Sequence, residues 1–220
     1  MHKVLVTGGS RGIGKAIAEL FRENVYDVHS PARDELDLNS RGSIRDFIKK
    51  NSDGFDVIIN NAGINHTNLI EDTNEEEMDE VLAINLIAPM LIIKGFAPKM
   101  KQRKSGRIVN ISSVWSVVSS KKRAVYTATK HGLHGLTMTT ALELSDFGIL
   151  VNTVSPGFTA TDMLKDNNTP EELENIANKI PLGRMADPIE IAKAVFFLGS
   201  YNNTYITGQN IVIDGGYSIQ

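Results

Sequence analysis

Short apolar runs alternate with longer amphipathic stretches along the whole chain. The apolar, β-branched runs predict strands at 4–6, 25–30, 55–60, 107–112, 150–154 and 211–214. The stretches with helical periodicity predict helices at 13–23, 43–50, 75–101, 125–146, 171–178 and 188–198. Strands that alternate with helices form parallel sheets buried on both faces. The pattern therefore predicts an α/β fold with a doubly wound parallel sheet, helices on both faces, and a ligand crevice beyond the carboxyl ends of the strands.

Composition narrows the class of protein. The 220 residues carry a net charge of −3, 41% are hydrophobic, and no break divides the chain, which indicates a single domain spanning 1–220. With no cysteine there is no disulfide and no thiolate nucleophile. The five scattered histidines suggest no metal site, and a pI near 6.0 without a basic stripe argues against nucleic-acid binding. Residues 1–20 lack a signal pattern, and the apolar stretch 81–97 is short and interrupted, so we expect no membrane span and a cytoplasmic location.

A glycine-rich turn follows the first predicted strand and opens the first helix. It supplies the candidate phosphate-binding residues Gly8, Ser10, Arg11, Gly12, Ile13 and Gly14. Glycines let backbone N–H groups approach a pyrophosphate, and the helix N-terminus favours the anion. The spacing G-x-x-x-G-x-G lacks the Lys-Ser/Thr of an ATP loop, so a dinucleotide fits better than a nucleoside triphosphate.

Several ordered motifs resemble the short-chain dehydrogenase/reductase family. After the glycine loop come N-N-A-G at 60–63, Y-x-x-x-K at 126–130, S-P-G-F-T-A-T at 155–161, I-T-G-Q at 206–209 and D-G-G at 214–216. The resemblance covers nearly the whole chain and is greatest to β-ketoacyl-acyl-carrier-protein reductases. It implies a Rossmann-like fold and cofactor contacts from Asn60, Ala62, Gly63, Tyr126, Lys130, Pro156, Gly157, Thr159 and Thr161. It also implies that the polar segment 158–185 closes over the substrate.

The region after the second strand bears on which dinucleotide binds. An NAD-preferring site needs a carboxylate at the end of this strand, and none precedes Asp34. Arg11 and Arg33 could instead contact a 2′-phosphate, which favours NADP(H) over NAD(H), although Asp34 and Glu35 partly cancel Arg33. The chain is short between strands 2 and 3, with no room for a helix before Asp37 and Leu38, which by resemblance contact the adenine.

The candidate catalytic residues are Tyr126, Lys130, Ser113 and Asn85. Tyr126 and Lys130 share one helix face, and the ammonium with a cationic nicotinamide would lower the pKa of the phenol. Tyr126 could then exchange a proton with a carbonyl or alcohol oxygen. Ser113 lies 13 residues earlier, at the family's spacing, and would hold that oxygen; Ser112 is its rival. By resemblance, Lys130 also holds the nicotinamide ribose.

Asn85 has independent physical support. Pro89 supplies no N–H to the Asn85 carbonyl, so the helix is expected to open there and to bind a water that links Lys130 to solvent. A merely kinked helix with a capped carbonyl is the alternative.

The sequence thus predicts an NADP(H)-dependent oxidoreductase that resembles 3-oxoacyl-thioester reductases. A sugar, polyol or small-ketone dehydrogenase and a non-catalytic dinucleotide sensor are the alternatives. Lys104 and Arg107 could help to dock an acidic carrier protein, but Phe147 stands where a second basic residue is needed, which puts docking in doubt. Trp115 could line the substrate pocket or pack as core. Apolar residues on several faces of the helices at 75–101 and 125–146 predict a homodimer or homotetramer.

Overall fold

The six strands form one parallel sheet. The structure, a computed structural model, describes residues 1–161, 164 and 168–220. The sheet order is β2-β1-β3-β4-β5-β6, so the order reverses at β1, where a doubly wound sheet opens its ligand crevice. The strands are β1 (Lys3–Val6), β2 (Asp27–His29), β3 (Val57–Asn60), β4 (Gly106–Ile111), β5 (Ile149–Pro156) and β6 (Asn210–Ile213). The predicted Rossmann-like fold is confirmed.

Helices cover both faces of this sheet. They are α1 (Gly12–Glu23), α2 (Arg41–Lys50), α3 (Glu75–Leu82), α4 (Ala88–Arg103), α5 (Ala124–Ser145), α6 (Pro170–Asn178) and α7 (Pro188–Gly199). Successive strand side chains point to opposite faces, so Leu5 packs with residues of α2, α4 and α5, whereas Val4 and Val6 pack with residues of α1 and α7. Two apolar cores therefore hold the carboxyl edge of the sheet in place from both sides.

The connection between β2 and α2 is short, as predicted. Residues 30–40 contain turns and no helix, and Leu36 is buried with the core on the α2 face. Strand β2 is itself shorter than the predicted 25–30 because Val25 has a left-handed backbone, φ 65°, and an exposed side chain. The open connection leaves one wall of the crevice to a loop.

The predicted helix 75–101 is divided at the point that Pro89 indicated. A π turn over Ala83–Ile87 separates α3 from α4, with the Ala88 N–H bonded to Ala83 O. The predicted local opening at Asn85 is thus present.

The same helical stretch, Glu75–Arg103, is long and apolar enough to cross a membrane by length and composition alone, with a mean hydropathy of 1.8 over 18 residues. In this structure 44% of that window is buried inside the protein, and Ile92, Phe96 and Met100 belong to the core. Packing in the core of the fold therefore accounts for much of the apolar character of this helical stretch.

Candidate active site

A cleft of about 760 Å³ lies beyond the carboxyl ends of β1 and β3. Most of the predicted cofactor residues line it, namely Gly8, Ser10, Arg11, Gly12, Ile13, Gly14, Arg33, Asp37, Leu38, Ala62, Gly63 and Thr161. The glycine loop, the short connection after β2 and the segment after β3 thus meet at one crevice, where the reversal of strand order predicts a ligand.

The glycine loop forms a cradle that no larger residue could build. Gly12 has a left-handed backbone with φ 52°, and a Cβ on Gly14 would collide with the Gly8 carbonyl and with Asn61 Nδ2. A Cβ on Gly12 would lie 3.1 Å from Thr161 Cγ2, so the loop after β5 closes over the cradle. The free N–H groups at the start of α1 point into this space, which fits a pyrophosphate.

The two adjacent asparagines after β3 play different parts. Asn61 Nδ2 donates to the carbonyls of Thr7 and Gly8 at 3.0 and 3.1 Å, which fixes the glycine loop to β3. Asn60 instead is buried in the sheet, where its Nδ2 donates to Asn110 Oδ1 at 2.8 Å, and it does not line the cleft. The prediction that Asn60 contacts the cofactor is therefore not supported by its position. Successive strand residues point to opposite faces, so the sequence could have predicted that only one of the two adjacent asparagines faces the ligand.

The outer end of the cleft is suited to an anion. Arg11 and Arg33 both line it, and Arg33 is exposed, with its Nε 3.7 Å from Asp37 Oδ1. Ser30, which the sequence analysis did not single out, follows β2 and lines the same end; its buried Oγ has no hydrogen-bond partner within the described residues. An unsatisfied hydroxyl and two guanidinium groups in one cleft suit the 2′-phosphate of NADP(H).

Lys130 and Ser112 anchor the inner end of the site. Lys130 Nζ is buried and donates to Ile111 O at 2.9 Å, and it lies 5.4 Å from the centre of the Tyr126 ring. A Cβ on Gly63, which lines the cleft, would be 3.5 Å from this Nζ, so Lys130 borders the inner wall of the cleft. The Ser112 hydroxyl donates to the Lys130 carbonyl at 2.9 Å. Ser112 is thus occupied in fixing α5 to β4.

Ser113 is the serine that lies with Tyr126. Its Oγ accepts a hydrogen bond from the Trp115 N–H at 3.3 Å, and hydrogen bonding by the Ser113 side chain lowers the pKa of the Tyr126 phenol. This arrangement agrees with the choice of Ser113 over Ser112. Two hydroxyls and a buried ammonium therefore lie in one part of the site, beside the cleft, although none of the three residues is part of its lining.

Burial shifts the pKa values of Tyr126 and Lys130 in opposite directions. Burial raises the pKa of the Tyr126 phenol, while Ser113 and the charge of Arg123 lower it. Burial also lowers the pKa of Lys130 to about 8. The lowering of the phenol pKa that is expected from the Lys130 ammonium together with a cationic nicotinamide stays a prediction, and in the protein itself burial has the larger effect. The physical reason is that both groups have lost water, which disfavours both charged forms.

Asn85 connects the cleft to the tyrosine. Its Oδ1 accepts from the Ile64 N–H and its Nδ2 donates to Ile64 O, each at 2.9 Å. The same Nδ2 donates to Thr129 Oγ1 at 3.3 Å, and that hydroxyl donates to Tyr126 O at 2.7 Å. The sequence did not identify Thr129 as a site residue, although it directly precedes Lys130. A water on the Asn85 carbonyl stays a prediction.

An aromatic cluster follows Ser113. Trp115, Phe158 and Tyr217 contact one another with ring centres 5.2–6.2 Å apart and near-perpendicular planes. Pro156 ends β5, and Gly157 and Thr159 lie in the loop that follows it. All three are outside the lining of the cleft, and their contact with a nicotinamide stays a prediction. Part of the predicted closing segment, residues 162–163 and 165–167, lies outside the described residues.

Comparison with known proteins identifies the class. The family model described as enoyl-(acyl carrier protein) reductase matches residues 29–218. The chain belongs to the short-chain dehydrogenase/reductase family of oxidoreductases.

Three relatives show the range of its neighbours. The chain is 38% identical to 3-oxoacyl-acyl-carrier-protein reductase FabG of Vibrio cholerae, over 96% of this chain and 95% of the relative. It superposes on ElxO with NADP bound with a TM-score of 0.93 and 29% identity, over the full length of both chains. It also superposes on a chain proposed to be a gluconate dehydrogenase of Agrobacterium tumefaciens, with a TM-score of 0.90 and 28% identity over 100% and 96% of the two chains.

Proposed function

We propose that the protein is an NADP(H)-dependent carbonyl reductase that acts on 3-oxoacyl-type substrates. The observation that carries the proposal is the proximity of Ser113, Tyr126 and Lys130 to one another beside the inner wall of a cleft that the glycine loop lines. A dinucleotide sensor would need the cleft but not these three side chains.

The preference for NADP(H) is supported by the outer end of the cleft. Among the described residues Ser30 Oγ has no hydrogen-bond partner, and Arg11 and Arg33 line the same cleft, so the chemistry of this end suits a 2′-phosphate. ElxO, which superposes over its full length, has NADP bound.

The chain's own residues would act as follows. Bound NADPH supplies a hydride for the carbonyl carbon. The Tyr126 hydroxyl gives its proton to the carbonyl oxygen, and the Ser113 hydroxyl donates a hydrogen bond to the same oxygen while charge develops on it. Lys130 holds the ribose hydroxyls and, when protonated, favours the phenolate that remains. A water at the Asn85 carbonyl would return a proton through Lys130.

The 3-oxoacyl assignment is supported by the FabG relatives at 36–38% identity over 96% of the chain. A free ketone or keto-sugar, rather than a carrier-bound thioester, is the second candidate. Arg107 favours it: this side chain is buried and donates to the carbonyls of Gly106, Gly148 and Asn203, so it is not available to an acidic carrier.

The test is NADPH oxidation by the purified protein with a 3-oxoacyl thioester and with the matching free 3-oxo acid, in parallel with NADH and with a Tyr126→Phe variant. We expect turnover with NADPH that falls at least a thousandfold in Tyr126→Phe, while NADPH binding is kept. Turnover that survives the substitution would refute the role of Tyr126. No reduction of thioesters, ketones or keto-sugars by a protein that binds NADPH would support the sensor.

We also propose a single catalytic domain that forms a homodimer or homotetramer in the cytoplasm. Met90 on α4 and Met138 and Leu142 on α5 expose apolar side chains, as a helix pair that meets a second copy would. Light scattering after size exclusion measures the oligomer, and substitution of Leu142 by Glu should dissociate it.

A further inference from the structure

We propose that the carbonyl substrate carries an anionic group, a carboxylate, and that Arg123 binds this group beside the reacting carbonyl. The inference rests on the proposed reductase function, because it names the substrate class of the same site.

Arg123 lies between the cofactor side and the aromatic side of the site. Its guanidinium carbon is 5.8 Å from the centre of the Trp115 ring. In the orientation that satisfies both ends of its amide, Asn65 accepts a hydrogen bond from Arg123 Nη1. Asn65 directly follows the segment 61–64 that lines the cleft, and Trp115 follows Ser113 by two residues. The guanidinium therefore borders the space that a substrate must enter.

The charge of Arg123 also reaches the reacting hydroxyl. Burial raises the pKa of Tyr126, and Arg123 is one of the two groups that lower it. A cation lowers the pKa of a phenol in this way when little water screens the charge between them. An anion bound to Arg123 would therefore lie near a carbonyl that Tyr126 and Ser113 hold.

Arg123 has no counter-ion in the part of the chain that the structure describes. No Asp or Glu carboxylate comes within 4.0 Å of it, and its neighbours Lys121 and Lys122 have the same sign. A guanidinium has five N–H donors, of which Asn65 takes one. A half-buried, largely unpaired cation at the edge of a ligand site is complementary to a ligand anion, and the planar fork matches a carboxylate.

The aromatic cluster defines the rest of the substrate. Trp115, Phe158 and Tyr217 form an apolar wall next to the guanidinium. Hydrocarbon would pack on this wall, while the carboxylate meets Arg123 and the ketone meets Ser113 and Tyr126. The substrate class is thus an oxo acid with a free carboxylate, which narrows the 3-oxoacyl-type substrates of the proposed function. An uncharged sugar or ketone would leave Arg123 unpaired.

The chain contains its own reporter for this site, because Trp115 is its only tryptophan. The experiment titrates the NADP⁺-loaded protein with 3-oxohexanoate and with its uncharged methyl ester, and follows tryptophan fluorescence. We expect the acid to bind at least tenfold more tightly than the ester. Arg123→Gln should weaken binding of the acid tenfold to a hundredfold and leave the ester within twofold. The matched control, Lys121→Gln, removes a charge from the same loop without a contact to Trp115 and should change neither.

Steady-state reduction by NADPH gives the second arm. The ratio of kcat/KM for the acid to that for the ester should fall tenfold or more in Arg123→Gln. Dihydroxyacetone phosphate against dihydroxyacetone tests whether a phosphate replaces the carboxylate, and we expect the weaker effect there. Equal binding of acid and ester, no binding of the acid, or equal losses in the Arg123 and Lys121 variants would each overturn the inference. Arg123-dependent binding of the acid without turnover of any carbonyl compound would instead reject the proposed reductase.

Discussion

Two buried cations lie near opposite ends of strand β4, and they differ in how many hydrogen bonds their N–H groups donate. Arg107, near the start of the strand, donates to three backbone carbonyls and lies over the Tyr201 ring at 4.9 Å. Lys130 packs against the far end of the same strand, where Nζ donates to one carbonyl, that of Ile111. Neither has a carboxylate within 4.0 Å among the described residues. Burial lowers the pKa of both.

This difference separates a structural cation from a functional one. A guanidinium remains charged at any ordinary pH, so its burial is offset only by hydrogen bonds such as those of Arg107. An ammonium whose pKa is about 8 exchanges its proton near neutrality and keeps two further N–H groups for a ligand. Burial alone therefore does not indicate function; spare donors next to a cleft do.

The largest expected effect is on activity at the Lys130 end. Lys130→Met should reduce kcat/KM at least a thousandfold, because it removes both the ribose contact and the charge that favours the Tyr126 phenolate. The free energy of unfolding should change by less than about 1 kcal/mol, since loss of one hydrogen bond is offset by relief of a buried charge. Kinetics and urea unfolding measure the two. A large loss of stability with full activity per folded molecule would reverse the assignment of the two cations.

Arg107→Met should show the opposite pattern. Three carbonyls lose their donor, so we expect a loss of about 2–4 kcal/mol in unfolding free energy. The activity of the molecules that remain folded should be within twofold of the wild type. The control is Arg103→Met, whose guanidinium is less buried and bonds to Phe55 O and Asp56. An Arg107 variant as stable as that control would show that the buried hydrogen bonds contribute little.

The same contrast explains what could be predicted from sequence. The parallel sheet follows from apolar runs that alternate with helices, and the cradle, with Gly12 and Gly14 in it, follows from glycines whose spacing leaves few other structures. Arg107 was instead considered, together with Lys104, as a residue that could help to dock a carrier protein, an interpretation that the sequence itself put in doubt. Its burial depends on carbonyls 41 and 96 residues away, which no local pattern encodes. The free hydroxyl of Ser30 and the raised pKa of Tyr126 likewise depend on tertiary packing.

A pH series sharpens the comparison further. The pKa of Lys130 is about 8 in the folded protein and has the ordinary value of 10.5 when unfolded. The unfolded state therefore binds more protons between pH 8 and 10.5, and the stability contributed at this site rises with pH across that window. The difference in unfolding free energy between wild type and Lys130→Met should shift in favour of the wild type by up to about 3 kcal/mol from pH 8 to 10.5. The Arg107→Met difference should stay constant there. A flat Lys130 difference would mean that the ammonium is solvated.

The smallest effect concerns two buried threonines of α5. Thr129 links Asn85 to the turn of Tyr126, whereas Thr137 accepts from Asn110 at 2.8 Å deeper in the sheet. Thr129→Val and Thr137→Val should each cost about 1 kcal/mol of stability, because each removes a buried hydroxyl with partners. Only Thr129→Val should also lower kcat, several-fold and with little change in the KM for NADPH, and Thr129→Ser should restore it. The two threonines are equally buried on one helix, so this result would show that only the hydroxyl next to Tyr126 affects catalysis, as only one of the two buried cations does. Equal kcat losses in both valine variants would show instead that the turn of Tyr126 responds to α5 packing in general and not to the Asn85–Thr129 link.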